Sequence, residues 1–206
     1  MKNLFVVTHT ESVHHTEGLV GGWYDSALTP KGQHDAGLIA KRLKVFVGDA
    51  PVELFSSDLI RASQTADFVS RTFAVKTVLT PELREMSYGI AEGKPQAWLH
   101  QRNISAPADN RLDHRGGLDG AETKREFATR IYQAMDMIVG RPCETQIIVT
   151  HGFALTFVVA AWIKMPIDAV GYMDLRVQSG SITHLREDEY WQSRTVMMLG
   201  DISHFG

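Results

Sequence analysis

Apolar positions along the chain follow two rhythms. Short, mostly apolar stretches, "LFVV" at 4–7, "VELF" at 52–55 and "QIIV" at 146–149, have the length and β-branched content of buried strands. Between them, apolar residues recur at three and four positions, as a helix with one buried face requires. Leu59, Ala62, Ala66, Val69 and Phe73 keep that spacing after "VELFSS", and Phe127, Ile131, Met135 and Ile138 keep it within 122–139. Thr29-Pro30 reads as an N-cap followed by proline at the first helical position, opening a helix to about Val47. Asp58 or Ser57 is expected to cap the helix after "VELFSS". "VKTVLT" predicts a further strand, and 86–120 reads as irregular. "GSITHLRE" and "WQSRTVMML" predict two last strands joined by a turn at Asp188-Glu189.

Repeated strand–helix alternation predicts an α/β fold, a mostly parallel sheet with helices on both faces. The chain shows no repeat, low-complexity segment or convincing linker. The expectation is therefore one domain over 1–206, with 86–120 as a variable elaboration over the sheet edge and the active site. The longest apolar run, "FALTFVVAAWI" at 153–163, is shorter than the roughly 18 residues of a membrane span and suits a buried helix. A net charge of −3 supplies no basic footprint for nucleic acid or an anionic membrane. Cys143 is the single cysteine and cannot form an internal disulfide. With too short an apolar N-terminal stretch for a signal peptide, the expected location is cytoplasmic. Oligomeric state is not legible.

The strand ends carry the chemistry. His9 follows "LFVVT", Arg61 lies in the first turn of the helix after "VELFSS", Glu85 follows "VKTVLT", and His151 follows "QIIVT". If these strands are parallel, all four face one carboxyl edge, where open α/β sheets bind ligands. Two imidazoles, a guanidinium and a carboxyl group suit phosphoryl transfer. One imidazole can attack phosphorus, the other can join the arginine in binding charged oxygens, and the carboxyl can protonate the leaving group. The helix N-terminus near Arg61 adds oriented N–H donors.

Five motifs in order resemble the histidine phosphatase superfamily, the phosphoglycerate mutase-like group, over essentially the whole chain. "VVTHTES" stands where that family has its Arg-His-Gly motif, and "GGWYDSALTPKG" matches its loop entering the first helix. "SSDLIRASQTADF" resembles its arginine motif, "LREMSYGIAEG" the stretch bearing the acid, and "VTHGFAL" the second histidine. The resemblance implies a three-layer α/β/α fold, His9 as the nucleophile that becomes phosphohistidine, and Arg61 and His151 as phosphoryl ligands. It implies Glu85 as proton donor, Thr8, Thr10, His15 and Gly22 as substrate-binding positions, and no cofactor or metal. Glu92 also matches a family position, but an ion pair holding its loop is the better reading.

Departures from the pattern bear on activity. Thr8 replaces the motif's arginine, Thr10 its glycine, and His15 stands where the family usually has a phosphate-binding asparagine. Removing a comparable donor costs about 10² to 10³ in rate. Protonated His14 and His15 would restore some positive charge, since histidine titrates near pH 6.5; an exposed polar pair is the equal alternative. The imidazoles could be drawn as a metal site, but no ligand motif joins them. Packing is the expected role of Trp23 and Trp98.

The reading is a phosphomonoesterase acting on a small phosphorylated metabolite. Its rival is a weak or inactive member that binds an anionic ligand or a partner protein. A phosphoglycerate mutase is less favoured, because only about 28 residues separate Gly93 from Glu122 and no adjacent arginine pair lies among them.

Overall fold

The computed structural model describes all residues from Met1 to Gly206. Six strands form one sheet: β1 (Asn3–Thr8), β2 (Val52–Ser56), β3 (Thr77–Leu79), β4 (Thr145–Thr150), β5 (Ile182–Glu187) and β6 (Arg194–Asp201). The strand order is β3-β2-β4-β1-β5-β6, with β3, β2, β4 and β1 parallel and β5 and β6 antiparallel to their neighbours.

The unbroken apolar runs follow from a sheet covered on both sides. Leu4 and Val6 point into one core with Ile148 and Phe55, while Phe5 and Val7 point into the other with Ile147, Val149 and Leu54. The first core is closed by α5 (Lys124–Val139) and α6 (Gly152–Trp162), through Phe127, Ile131, Phe157 and Trp162. The second is closed by α2 (Pro30–Val47) and α3 (Ile60–Phe73), through Ile39, Leu43, Ala62, Ala66 and Val69. "FALTFVVAAWI" is the buried α6, with apolar contacts around its whole circumference.

Local signals account for the starts of α2 and α5. Thr29 Oγ1 accepts from Gly32 N, with Pro30 at the first helical position. Thr123 and Glu126 form a reciprocal capping box at the start of α5. The cap expected for α3 is different. Leu59 is the cap residue, Asp58 is paired with Arg84, and the N–H of Ile60 is met by Asp25 from the distant loop before α2. Ser57 instead accepts from Leu59 N.

The strand expected over 75–80 is reduced to Thr77–Leu79, because it lies at the sheet edge, where only β2 offers ladder partners. Within the stretch expected to be irregular, a short helix α4 (Gln96–Arg102) forms. Two shorter elements complete the chain, a helical turn α1 (Val13–Thr16) after β1 and a 3-10 turn at Gly89–Ala91. Val20, Ala91, Leu118 and Ala121 make a small third cluster that seats this region on the loop after α1. At the other end, β6 runs beyond the expected strand to Asp201, and Asp188 anchors the hairpin turn by accepting from Tyr190 and Trp191.

Two glycines of α2 give opposite expectations. A Cβ on Gly32 would lie 2.0 Å from the Glu11 carbonyl oxygen, whereas one on Gly37 meets only Phe68 at 3.8 Å. Gly37→Ala should raise stability by up to about 1 kcal/mol through helix propensity. Gly32→Ala should lower it by about 1–3 kcal/mol through overpacking. Urea denaturation of the two variants checks the sign of each.

Candidate active site

Parallel β1, β2 and β4 end side by side, so the segments leaving them meet at one edge. His9 leaves β1, Ser57 leaves β2, His151 leaves β4, and Arg61 enters from the first turn of α3. Glu85 reaches the same place from the turn after β3, with Oε1 accepting from Met86 N and Oε2 from Phe153 N at the start of α6. His9, Arg61 and Glu85 line a cavity of about 490 Å³ together with Thr8, His14, His15, Gly22, Tyr88 and Ser179.

His9 is held in one tautomer. Its Nδ1 lies 2.8 Å from the Thr10 carbonyl, so Nδ1 carries the proton and Nε2 keeps its lone pair. Arg61 Nε donates to that Nε2 at 3.2 Å. The guanidinium is 1% exposed, and its two terminal nitrogens donate to the carbonyls of Tyr24 (2.8 Å) and Gly22 (2.6 Å). Gly22 thus acts through its carbonyl, in a loop where its φ of 53° favours glycine. His151 is fully buried, stands edge-on to His9 with ring centroids 5.0 Å apart, and its Nε2 meets Ser57 Oγ at 2.8 Å. Its Nδ1 is buried without a partner.

His14 and His15 complete a cluster of four imidazoles. The His15 ring stacks parallel to His9 with centroids 5.4 Å apart, and its Nδ1 accepts from Ser12 N. His14 is buried, with Nδ1 shared between Ser12 Oγ and Ser26 Oγ. The exposed-pair alternative therefore does not hold for His14. Nowhere in the chain are three His, Cys, Asp or Glu side chains grouped so as to hold a metal ion.

The electrostatics follow from burial around one permanent cation. Desolvation, then Arg61, then His15 hold His9 well below 6.5. Desolvation and Arg61 do the same to His151. His14 is lowered to about 3 by desolvation, His15 and Arg61. His15, open to solvent on its outer side, is lowered by desolvation against its neighbours and by Arg61, with Glu11 opposing. Neither neighbouring imidazole is therefore a resident cation at neutral pH, contrary to the compensation expected for the missing arginine. Glu85 moves the other way: desolvation raises its pKa against the pull of two backbone N–H groups, Arg61 and Arg130.

Three sequence expectations change. Thr10 does not face the cavity: its hydroxyl donates to Gly32 O and its N–H to Thr65 Oγ1, so it joins β1's exit to α2 and α3. Thr8 does line the cavity, but its hydroxyl is engaged with the 178–181 turn. Glu92 holds its loop through hydrogen bonds from Ser87 Oγ and Tyr88 N, where an ion pair was expected. Trp23 caps the outside of the Glu85 turn, donating to Glu85 O at 2.7 Å, and Trp98 packs against the small third cluster. Sequence reasoning missed Tyr88, Ser57 and the 178–181 turn. Ser57 had a signal, a polar residue at a strand's carboxyl end; the turn had none.

The model of the histidine phosphatase superfamily, branch 1, matches residues 4–197. The chain belongs to that superfamily. Among curated relatives, a "Probable phosphoglycerate mutase GpmB" of Erwinia tasmaniensis is 29% identical, covering 99% of this chain and 95% of the relative. Its namesake in Photorhabdus laumondii is 28% identical over the same shares. Among solved structures, Bacillus stearothermophilus YhfR superposes with a TM-score of 0.82 at 28% identity, covering all of both chains. The α-ribazole phosphatase of Shigella flexneri, at 24% identity and a TM-score of 0.79, covers 97% of this chain and 96% of its own, and shares the fold. A superfamily member with four neutral imidazoles should show it in its stability. Between about pH 6.5 and 5 the unfolded chain binds protons that the folded pocket refuses, so stability falls as pH falls. Glu85 contributes oppositely, favouring the fold below its raised pKa and losing that contribution as pH rises through it. The urea midpoint should drop from pH 7 to pH 5, and His14→Gln should narrow the drop; an unaltered difference would contradict the imidazole's neutral burial.

Proposed function

We propose that the chain is a phosphomonoester hydrolase acting through a phosphohistidine at His9. The observation that carries this reading is the pairing of protonation states in one cavity: a neutral imidazole with Nε2 unprotonated, facing a buried guanidinium, beside a carboxyl group biased toward its acid form. In the first step His9 Nε2 attacks phosphorus while the bond to the leaving oxygen breaks, and Glu85 gives that oxygen its proton. An incoming phosphoryl oxygen competes with His9 for the Arg61 Nε–H, which moves the donor from nucleophile to substrate. His151 and the remaining guanidinium hydrogens take the developing charge. In the second step water attacks phosphorus, the P–N bond breaks, and Glu85 carboxylate accepts the water's proton.

His9→Ala should abolish turnover of an aryl phosphate. Glu85→Gln should slow alkyl phosphates by about 10² to 10⁴ while barely affecting aryl phosphates, whose leaving group departs without a proton. Parallel initial rates on both ester types decide the role of Glu85, since equal losses would remove it from the acid's place. A wild type inert toward every ester would favour the rival reading of an anion-binding, non-catalytic protein.

One observation favours phosphoryl return to an organic acceptor, as the name of the curated relatives suggests. A side cavity of about 220 Å³ shares Tyr88 with the main one and contains Arg111 and Lys124. Both donate to the same carbonyl, Gly171 O (3.2 and 3.1 Å), and neither has a carboxylate partner. Separated in sequence, they form the cation pair that the sequence lacks as neighbours, suited to a second anionic group on the substrate. Incubation with 3-phosphoglycerate distinguishes the two: inorganic phosphate is expected, and accumulation of the 2-isomer would establish the mutase reading.

A further inference from the structure

We propose that Thr8 is a positioning residue, whose hydroxyl fixes the 178–181 turn that in turn holds the backbone of His9; the kinetic part rests on the hydrolase reading above.

Thr8 Oγ1 donates to Gln178 O at 2.9 Å and accepts from Ser181 N at 3.1 Å. Ser181 Oγ lies 3.2 Å away, and since the Thr8 proton is already given to Gln178, Ser181 is the donor of that pair. One proton donated and two accepted exhaust a hydroxyl. The backbone adds Thr8 N to Ser181 O at 3.1 Å. Thr8 is 2% exposed, so these bonds face little competition from water.

The turn passes this constraint to the nucleophile. Gly180 N and Ser179 Oγ both donate to His9 O at 3.0 Å, occupying both lone pairs of that carbonyl. His9 N donates to Thr150 O at 2.9 Å, so the peptide groups flanking the imidazole are tied to β4 on one side and the turn on the other. The far side of the turn is closed by the chain's end. His204 Nε2 lies 3.0 Å from Gly180 O, and a Cβ on Gly180 would come within 2.7 Å of the Phe205 ring. Gly180, with φ of 79°, fits between Phe205 and Thr10 because it has no side chain.

This changes what the threonine in place of an arginine means. An arginine here would lose the hydroxyl's three bonds and drive a long side chain into the turn. Thr8→Arg should therefore lower kcat instead of restoring a lost donor. The deciding set is Thr8→Val, which keeps shape and loses the hydroxyl, and Thr8→Ser, which keeps the hydroxyl. On an aryl phosphate, Thr8→Val should lower kcat by about tenfold or more with KM within about twofold, and Thr8→Ser should stay within about threefold of wild type. Amide exchange at Gly180 and Ser181 should quicken in Thr8→Val and return to wild type in Thr8→Ser. Ser181→Ala, a milder change that removes one donor, should fall between and covers the case of a poorly folding Thr8→Val.

Unchanged kcat in both Thr8→Val and Ser181→Ala would overturn the proposal. So would a rise in KM with kcat intact, which marks direct substrate contact, or equal losses in Thr8→Val and Thr8→Ser. A wild type without activity would count against the hydrolase reading alone. Amide exchange and the ring-nitrogen chemical shifts of His9 then decide the clamp, and values unaltered by Thr8→Val would overturn it.

Discussion

A guanidinium with 1% of its surface exposed must find acceptors inside the protein, and the site depends on how Arg61 finds them. They come from two separate parts of the chain: the carbonyls of Gly22 and Tyr24 before α2, and the imidazole of His9 after β1. Because a guanidinium is planar and forked, satisfying it fixes the loop, the His9 ring and the first turn of α3 relative to one another. Asp25 of the same loop strengthens the tie by capping Ile60 N at 2.7 Å.

That single charge also adds to what burial does to the imidazoles near it. His9, His14, His15 and His151 all have Arg61 among the causes that lower their pKa, so the cation is partnered by neutral rings. Glu85 receives two backbone N–H groups yet is raised, because its desolvation outweighs them. An imidazole with no proton on Nε2 and a carboxyl group whose pKa is raised are opposite demands. Burial meets both, since it penalises the charged form of imidazole and of carboxyl alike. Positive charge at neutral pH thus comes from Arg61 inside the cavity, with Arg111 and Lys124 at its side.

The rest of the fold supplies rigidity behind these groups. Both faces of β1 are buried, with Leu4 and Val6 on one side and Phe5 and Val7 on the other, so the strand delivering His9 has little freedom to shift. β5 and β6 extend the sheet past β1, and the segment leading into β5 is the turn that receives Thr8 and the His9 carbonyl.

Much of this was determined along the sequence itself. Burial on both faces requires the unbroken apolar runs at 4–7 and 147–149, and three-and-four spacing requires α3 and α5, so the α/β architecture was legible. His9, Arg61, Glu85 and His151 were legible too, because each follows a strand and parallel strands share a carboxyl edge. Tertiary structure alone decided what those positions do with their neighbours. Thr8 and Thr10 flank His9 in one motif, yet one binds a turn some 170 residues away and the other the first turn of α2. The cap of α3 comes from Asp25 because Asp58 is taken by Arg84, a competition no local pattern contains. His14 and His15 are alike in sequence, but Ser12 and Ser26 enclose one ring while the other remains open to solvent on its outer side. Hydrogen bonds and desolvation are set by whatever stands across a few ångströms of space, and the order of residues specifies those neighbours only once the sheet has brought them together.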